Sequence, residues 1–196
     1  MAILIGSNVL SVPSSTAISA FDGDTFVTKE KQYIRLSGID APETGRCGST
    51  EAKKALESLV IGKPLYIKVL YHTGARSNGL VYGKSGLVNA EMLRQGWAIY
   101  NDRDNVDLPE LAKATKEARE NKRGIFSSLC TQTVNAEKPS CDIKGNVLEN
   151  GDKRYHLPSC ASYAATVVQL YNGDTWFCTE TDAQKAGFIK SDRCFP

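Results

Sequence analysis

Five side chains with chemistry to offer crowd into a short stretch: Asp22, Asp24, Arg35, Asp40 and Glu43, within FDGDTF (21–26) and IRLSGIDAPET (34–44). Carboxylates gathered at strand ends can hold a hard cation, since Ca²⁺ and Mg²⁺ take oxygen ligands. An Arg beside them suits a phosphate, because its planar fork makes two parallel charge-assisted hydrogen bonds. A further carboxylate can take a proton from water. Cation, Arg and base together are the parts that phosphodiester hydrolysis requires. Each part alone is weak evidence: Asp-Gly is a common hairpin turn, and an exposed Arg–Asp pair is usually worth little. The specific signal is the combination.

Strands must carry these residues. TAISAF (16–21), TFVTK (25–29) and YIRLSGI (33–39) alternate or run apolar, with Gly and Asp turn signals between them. STEAKKALESLV (49–60) has helical spacing: Ala52, Ala55, Leu56, Leu59 and Val60 share a face, and Ser49 is the expected N-cap. PLYIKVLYH (64–72) and GLVYG (79–83) return to strand. VNAEMLRQG (88–96) reads as a short helix closed by Gly96, and 108–124 as a helix with Pro109 near its start and Gly124 after its end. Five short strands and about three helices imply an α+β, mainly β fold: a small barrel with helical packing.

FDGDTF followed by IRLSGIDAPE resembles the signature of the staphylococcal nuclease family, and the resemblance continues through GLVNAEMLRQGWA (86–98) to the helix ending in GIF, covering roughly 15–130. It implies a five-stranded OB-fold barrel that cleaves DNA and RNA phosphodiesters with Ca²⁺. Matched residue by residue, Asp24 and Asp40 are the implied metal-ligand carboxylates, the Ala41 backbone carbonyl a third ligand, and Asp22 an outer-shell neighbour. Glu43 is the implied general base and Arg35 the first phosphate-binding Arg. The family usually presents its second in Tyr-Gly-Arg, where this chain has Gly74-Ala75-Arg76. Arg76 keeps the family's spacing to Asn89 and precedes Tyr82 on a matching aromatic position, so it is the candidate for that role, against an exposed structural Arg. Tyr100 and His72 are further candidates for contacting substrate, with core-edge packing and a surface His as their plain readings.

Residues 166–176, TVVQLYNGDTW, echo TAISAFDGDTF. No second site is expected there: Asn172 replaces the first Asp, no Arg follows Asp174 at the required distance, and no Asp-Ala-Pro-Glu follows. A hairpin with an Asn-Gly turn is the expectation.

The six cysteines fall into two sets, Cys47 and Cys130 early, then Cys141, Cys160, Cys178 and Cys194. The polar stretch TQTVNAEKPS (131–140) between them reads as a linker, giving a domain over 1–135 and a cysteine-rich module over 140–196. The tail, with IKGN, YH-x-P-x-C and WFC-x-E-x-x-A-x-x-AGF, resembles a small module appended to nucleases and other bacterial proteins. Zinc ligands usually come in close pairs, whereas these cysteine gaps are 19, 18 and 16. A zinc site with His156 and Cys160 stays the alternative to two disulfides, which suit a small exported module. Of three pairings, Cys141–Cys178 with Cys160–Cys194 is expected, and a Cys47–Cys130 bridge in the first domain, against two buried thiols.

Of the 196 residues 41% are hydrophobic and 23% charged, and the net charge is +2, which excludes wholesale disorder and carries no argument for nucleic-acid binding by itself. The charge is uneven: residues 1–135 hold 17 basic and 14 acidic residues, 136–196 hold 7 and 8. No apolar run reaches the ~18–20 residues of a membrane span. MAILIGSNVL lacks the basic start and long apolar core of a secretory signal, and the first basic residue is Lys29. A chain not exported by this route and one whose signal has been removed both fit. The expectation is a monomeric, extracytoplasmic, Ca²⁺-dependent nuclease acting on DNA or RNA. Its rivals are a non-catalytic nucleic-acid-binding or protein-interaction module on the same fold, and a cytosolic zinc-bearing nucleic-acid protein.

Overall fold

Alternation along Tyr33–Leu36 sends Ile34 and Leu36 into the core, 1% and 0% exposed, and turns Tyr33 and Arg35 outward. The computed structural model describes residues 3–5, 8–10, 15–101, 106 and 108–194. The chain divides into two units, Met1–Phe126 and Ser127–Pro196.

In the first unit, β1 (Ser15–Ala20), β2 (Thr25–Thr28), β3 (Tyr33–Leu36), β4 (Pro64–Thr73) and β5 (Arg76–Gly83) pair in the order β3-β2-β1-β4-β5. Parallel pairing of β3 with β5, Tyr33 against Arg76 through Leu36 against Gly79, closes the ring into a five-stranded OB-type barrel. A closed ring leaves no edge among these five strands. Gly79, on this seam, also lets β5 lie close to β4: a Cβ there would stand 2.5 Å from the Lys68 carbonyl oxygen. Buried Asn89 ties the same seam, donating to the carbonyls of Ser37 (2.8 Å) and Gly79 (3.2 Å) and accepting from the Val81 N–H (3.0 Å).

Three helices cover the barrel: α1 (Ser49–Val60), α2 (Val88–Arg94) and α3 (Pro109–Glu120). Ala52, Leu56 and Val60 of α1 join Phe26, Ile34, Leu65, Val81, Met92 and Leu93 in one core. The N-cap of α1 differs from expectation. Gly48 holds that position in the left-handed region (φ 83°) with no side-chain cap, so Ser49 is the first helical residue. Strand β5 also begins earlier than the expected 79, at Arg76. Gly74 (φ 60°) makes a tight turn, and Thr73 and Arg76 pair across it.

The second unit is a four-stranded sheet: β6 (Ile143–Val147), β7 (Lys153–His156), β8 (Thr175–Phe177) and β9 (Ile189–Lys190), ordered β8-β6-β7-β9. A short helix α4 (Glu180–Lys185) contributes Ala183 to a small core with Ile143, Tyr155 and Phe188. This unit begins before the expected 140, because Thr131–Gln132 is a strand paired with Val168–Gln169 rather than part of a linker. Cys141 is bonded to Cys178 and Cys160 to Cys194. Cys47 and Cys130 are disulfide-bonded as well, and no cysteine is free. Cys160 is therefore not available to zinc, and His156 Nδ1 instead meets Ser162 Oγ at 3.1 Å.

The echo at 166–176 is not a hairpin. Val168–Gln169 pairs with Thr131–Gln132, and β8 pairs with β6; a 3₁₀ turn over Leu170–Asn172, ended by Gly173 (φ 92°), separates them. Buried Asp174 accepts from Asn146 Nδ2, the Val147 N–H and the Gln169 N–H, each at 2.8 Å. Its carboxylate clamps three segments together, a structural use consistent with the absence of a second site.

Candidate active site

The β1–β2 connection is built by its own first carboxylate. Asp22 Oδ1 accepts from the N–H of Asp24 (3.0 Å) and of Thr25 (2.8 Å), and Phe21 N–H reaches the Thr25 carbonyl at 2.8 Å. Side-chain oxygens that satisfy backbone N–H groups two and three residues on fix such a loop. One oxygen of Asp22, expected in the outer shell of a cation, is thus already committed to the turn. Gly23 is absent from the positive-φ glycines, so handedness does not explain it. Space does: a Cβ there would stand 2.6 Å from the Cβ atoms of both Ala41 and Ala52. The loop backbone lies directly on the Asp40-Ala41 segment and on α1.

That contact positions Asp24, which is 4% exposed. Its Oδ1 accepts from Thr25 Oγ1 (2.9 Å) and from Arg35 Nη1, and its Oδ2 accepts from the Ala41 N–H (3.0 Å). Arg35 Nη2 pairs with Asp40 Oδ1 and also reaches the Ile39 carbonyl at 3.3 Å. Asp40 Oδ2 accepts from Asn101 Nδ2 at 2.5 Å. One guanidinium therefore spans the two carboxylates, and Thr25, Ala41 and Asn101 hold the far sides.

Burial disfavours charge on Asp24 and the neighbouring Asp22 adds to this. Together they outweigh the pull of Arg35 and of the Ala41 N–H, so the Asp24 pKa is raised. Arg35 is also desolvated, but Asp24, Asp40 and Asp22 outweigh that and push its pKa up. The two directions agree physically: Arg35 faces three carboxylates, whereas Asp24 has one guanidinium and a buried site.

Register places the second Arg. Arg35 pairs with Asn78, and Arg76 lies two residues before Asn78 on the same strand, hence on the same face of the sheet as Arg35. The offset along the strand is about 7 Å. Glu43 is exposed on the loop that leaves Asp40, its carbonyl accepting from the Arg46 N–H at 2.9 Å.

Two candidates are placed otherwise. His72 pairs with Ser77 and bonds it (Nδ1 to Oγ, 3.2 Å), and Ser77 alternates with Arg76 and Asn78, so His72 faces away from both arginines. Tyr100 neighbours the site through pairing with Ile39, but its hydroxyl donates to the Val106 carbonyl (3.2 Å) and its ring packs on the core. The useful side chain is the next residue, Asn101. Its contact with Asp40 spans 61 positions and has no signature in spacing or composition. Thr25, inside the DGDT run, was visible in principle as a hydroxyl beside a carboxylate.

A cation fits the donor set. Asp24, Asp40 and a backbone carbonyl are hard oxygen donors of the kind calcium takes. A carboxylate offers about four lone-pair sites, and three donors engage Asp24. Asp22, Asp24, Asp40 and Glu43 also outnumber Arg35, an excess of negative charge that would repel a phosphate without a cation. Among the described residues no group of three or more His, Cys, Asp or Glu side chains could hold a metal, so any such site relies on the backbone, water and substrate for further ligands.

The family model for staphylococcal nuclease homologues matches residues 33–128. An uncharacterised endonuclease of Escherichia coli O157:H7 is 34% identical over 115 residues, 56% of this chain and 74% of that protein. The chain belongs to the staphylococcal nuclease homologue family. A probable staphylococcal-like nuclease of rice, CAN1, is 36% identical over 107 residues, 52% of this chain and 31% of its own length. The micrococcal nuclease of Shigella flexneri is 28% identical over 152 residues, 67% of this chain and 83% of that one. This staphylococcal nuclease homologue thus spans about a third of the rice relative and most of the bacterial ones. No helix among its described residues is long and apolar enough to cross a membrane.

Proposed function

We propose that this chain is a calcium-dependent nuclease that hydrolyses phosphodiester bonds of DNA or RNA. The observation that carries the reading is the shared guanidinium: Arg35 bridges Asp24 and Asp40 at the mouth of a Gly23-packed loop, with Arg76 on the same face and Glu43 on the adjoining loop. Asp24, Asp40 and the Ala41 carbonyl would hold the ion, which when bound supplies charge neutralisation at a phosphate oxygen.

The chain's own groups do the rest. Arg35 and Arg76 donate to the equatorial phosphate oxygens as these gain charge, Arg35 turning to them from the pairs it makes with Asp24 and Asp40. Glu43 accepts the proton of the attacking water at its carboxylate. Asn101 and Thr25 orient the two acidic side chains. The family resemblance implies that the 5′ oxygen leaves: it takes a proton from solvent water and departs as a 5′-hydroxyl, with the phosphate left on the 3′ side. A non-catalytic module on the same fold would have no use for this complete set.

Disulfides at all six cysteines support work outside the reducing cytoplasm. Cleavage of single-stranded DNA with Ca²⁺, with Mg²⁺ and with chelator, beside Glu43→Gln, tests the reading: Ca²⁺-dependent cleavage that Glu43→Gln abolishes supports it, and equal cleavage in chelator overturns it.

A further inference from the structure

Two large rings stand in water beside the site and touch each other. Phe21 is 64% exposed and Tyr33 44%, and their centroids lie 6.3 Å apart at 75°, an edge-to-face contact. Isolated exposed aromatics are ordinary. These two are not isolated, and neither position is incidental. Phe21 immediately precedes Asp22, whose carboxylate shapes the Asp24 loop. Tyr33 precedes Arg35 by two residues on β3, so both side chains share the outward face, and Tyr33 is the register partner of Arg76. Neighbouring strands lie about 4.8 Å apart, which puts the Tyr33 ring next to the Arg76 side chain. One row across the barrel therefore reads Val27, Tyr33, Arg76, Thr73, and the adjacent row Thr25, Arg35, Asn78, Tyr71, in which Thr25 and Asn78 are buried.

Apolar ring faces interleaved with cations on an OB barrel are the elements that hold an unpaired nucleobase: the cations take the phosphate and the ring takes the π-face of the base. We infer that Phe21 and Tyr33 form a base-stacking subsite for single-stranded DNA or RNA, adjoining the phosphate held by Arg35 and Arg76. The inference rests on the nuclease reading above and adds a preference to it. Bases inside a duplex have no free face to offer, so the subsite favours single strands. Because stacking is available to every base, it confers little sequence preference.

The test is fluorescence anisotropy of a labelled single-stranded oligothymidylate in the Glu43→Gln background with Ca²⁺, run beside the same oligomer with abasic positions throughout. Stacking is expected to make Phe21→Ala and Tyr33→Ala weaken binding of the intact oligomer by about tenfold. Phe21→Trp, which keeps a ring, retains it. The double variant binds intact and abasic oligomers alike, and its preference for single strand over duplex shrinks. Circular dichroism and the melting temperature of each variant separate loss of the subsite from loss of the fold, and Tyr33→Ala on intact against abasic oligomer carries the decision if Phe21→Ala does not fold. Cleavage by the unsubstituted chain with binding indifferent to both rings overturns the subsite and leaves the nuclease reading standing. Ring-dependent binding with no cleavage by the unsubstituted chain overturns the nuclease reading and leaves the subsite standing.

Discussion

Asn101 Nδ2 donates to Asp40 Oδ2 at 2.5 Å, which leaves the other Asp40 oxygen to Arg35. The consequence is orientation: Asp40 sits on a two-residue strand, Ile39–Asp40, and its carboxylate is held from both sides. Asn101→Ala should lower cation affinity by about 10- to 100-fold, as loss of a group supporting a metal ligand does. The measurement is the Ca²⁺ concentration at half-maximal cleavage. An unchanged cation requirement with a lowered maximal rate would place Asn101 elsewhere in the mechanism.

Gly23 is set by space rather than by backbone handedness, so Gly23→Ala should cost about 1–3 kcal/mol through overpacking against Ala41 and Ala52. Denaturant unfolding measures it. Because the same loop carries Asp22 and Asp24, activity should fall further than the loss of folded protein explains. A stable, fully active Gly23→Ala chain would show that the close packing is unnecessary.

Burial raises the Asp24 pKa above its unfolded value. Linkage gives the sign: the folded state binds this proton more tightly, so its contribution to stability is full below the unfolded pKa and is lost as pH rises through the folded pKa. In metal-free protein, stability of the wild type relative to Asp24→Asn should therefore decline over that acidic window and level off above it. Added Ca²⁺ should raise the melting temperature at neutral pH and do so less below the raised pKa, where Asp24 holds a proton. Thermal unfolding with and without chelator across pH checks both. A stability difference independent of pH would contradict the burial argument.

Much of this was legible in the sequence, and the limits have physical reasons. The strands of the barrel follow from period-2 alternation, which sends Ile34 and Leu36 inward and Arg35 outward. The carboxylate–Arg cluster was visible because its members lie close along the chain, within 22–43. A barrel was expected from the strands and the resemblance, but which strands close it was not legible, since parallel pairing of Tyr33–Leu36 with Arg76–Gly79 leaves no local pattern. Asn101 was hidden for the same reason: its contact is long-range. Tyr100 read either as a substrate contact or as a core-edge aromatic, and the second holds: its ring packs on the core and its hydroxyl is spent on Val106. Gly23 read as a turn glycine, because steric need against Ala41 and Ala52 cannot be told from turn preference in a bare sequence. The NGD echo misled as a hairpin, since Asp174 bonds to Asn146 and Val147 from a different strand.

The most direct test of the central claim is the initial rate of single-stranded DNA cleavage by the wild type and by Glu43→Gln, each with Ca²⁺ and with chelator. Cleavage by the wild type should require Ca²⁺, and Glu43→Gln should lower it by about 10²- to 10⁴-fold, the usual contribution of a general base. Cleavage that persists in chelator, or that is the same with Glu43→Gln as with the wild type, would contradict the account.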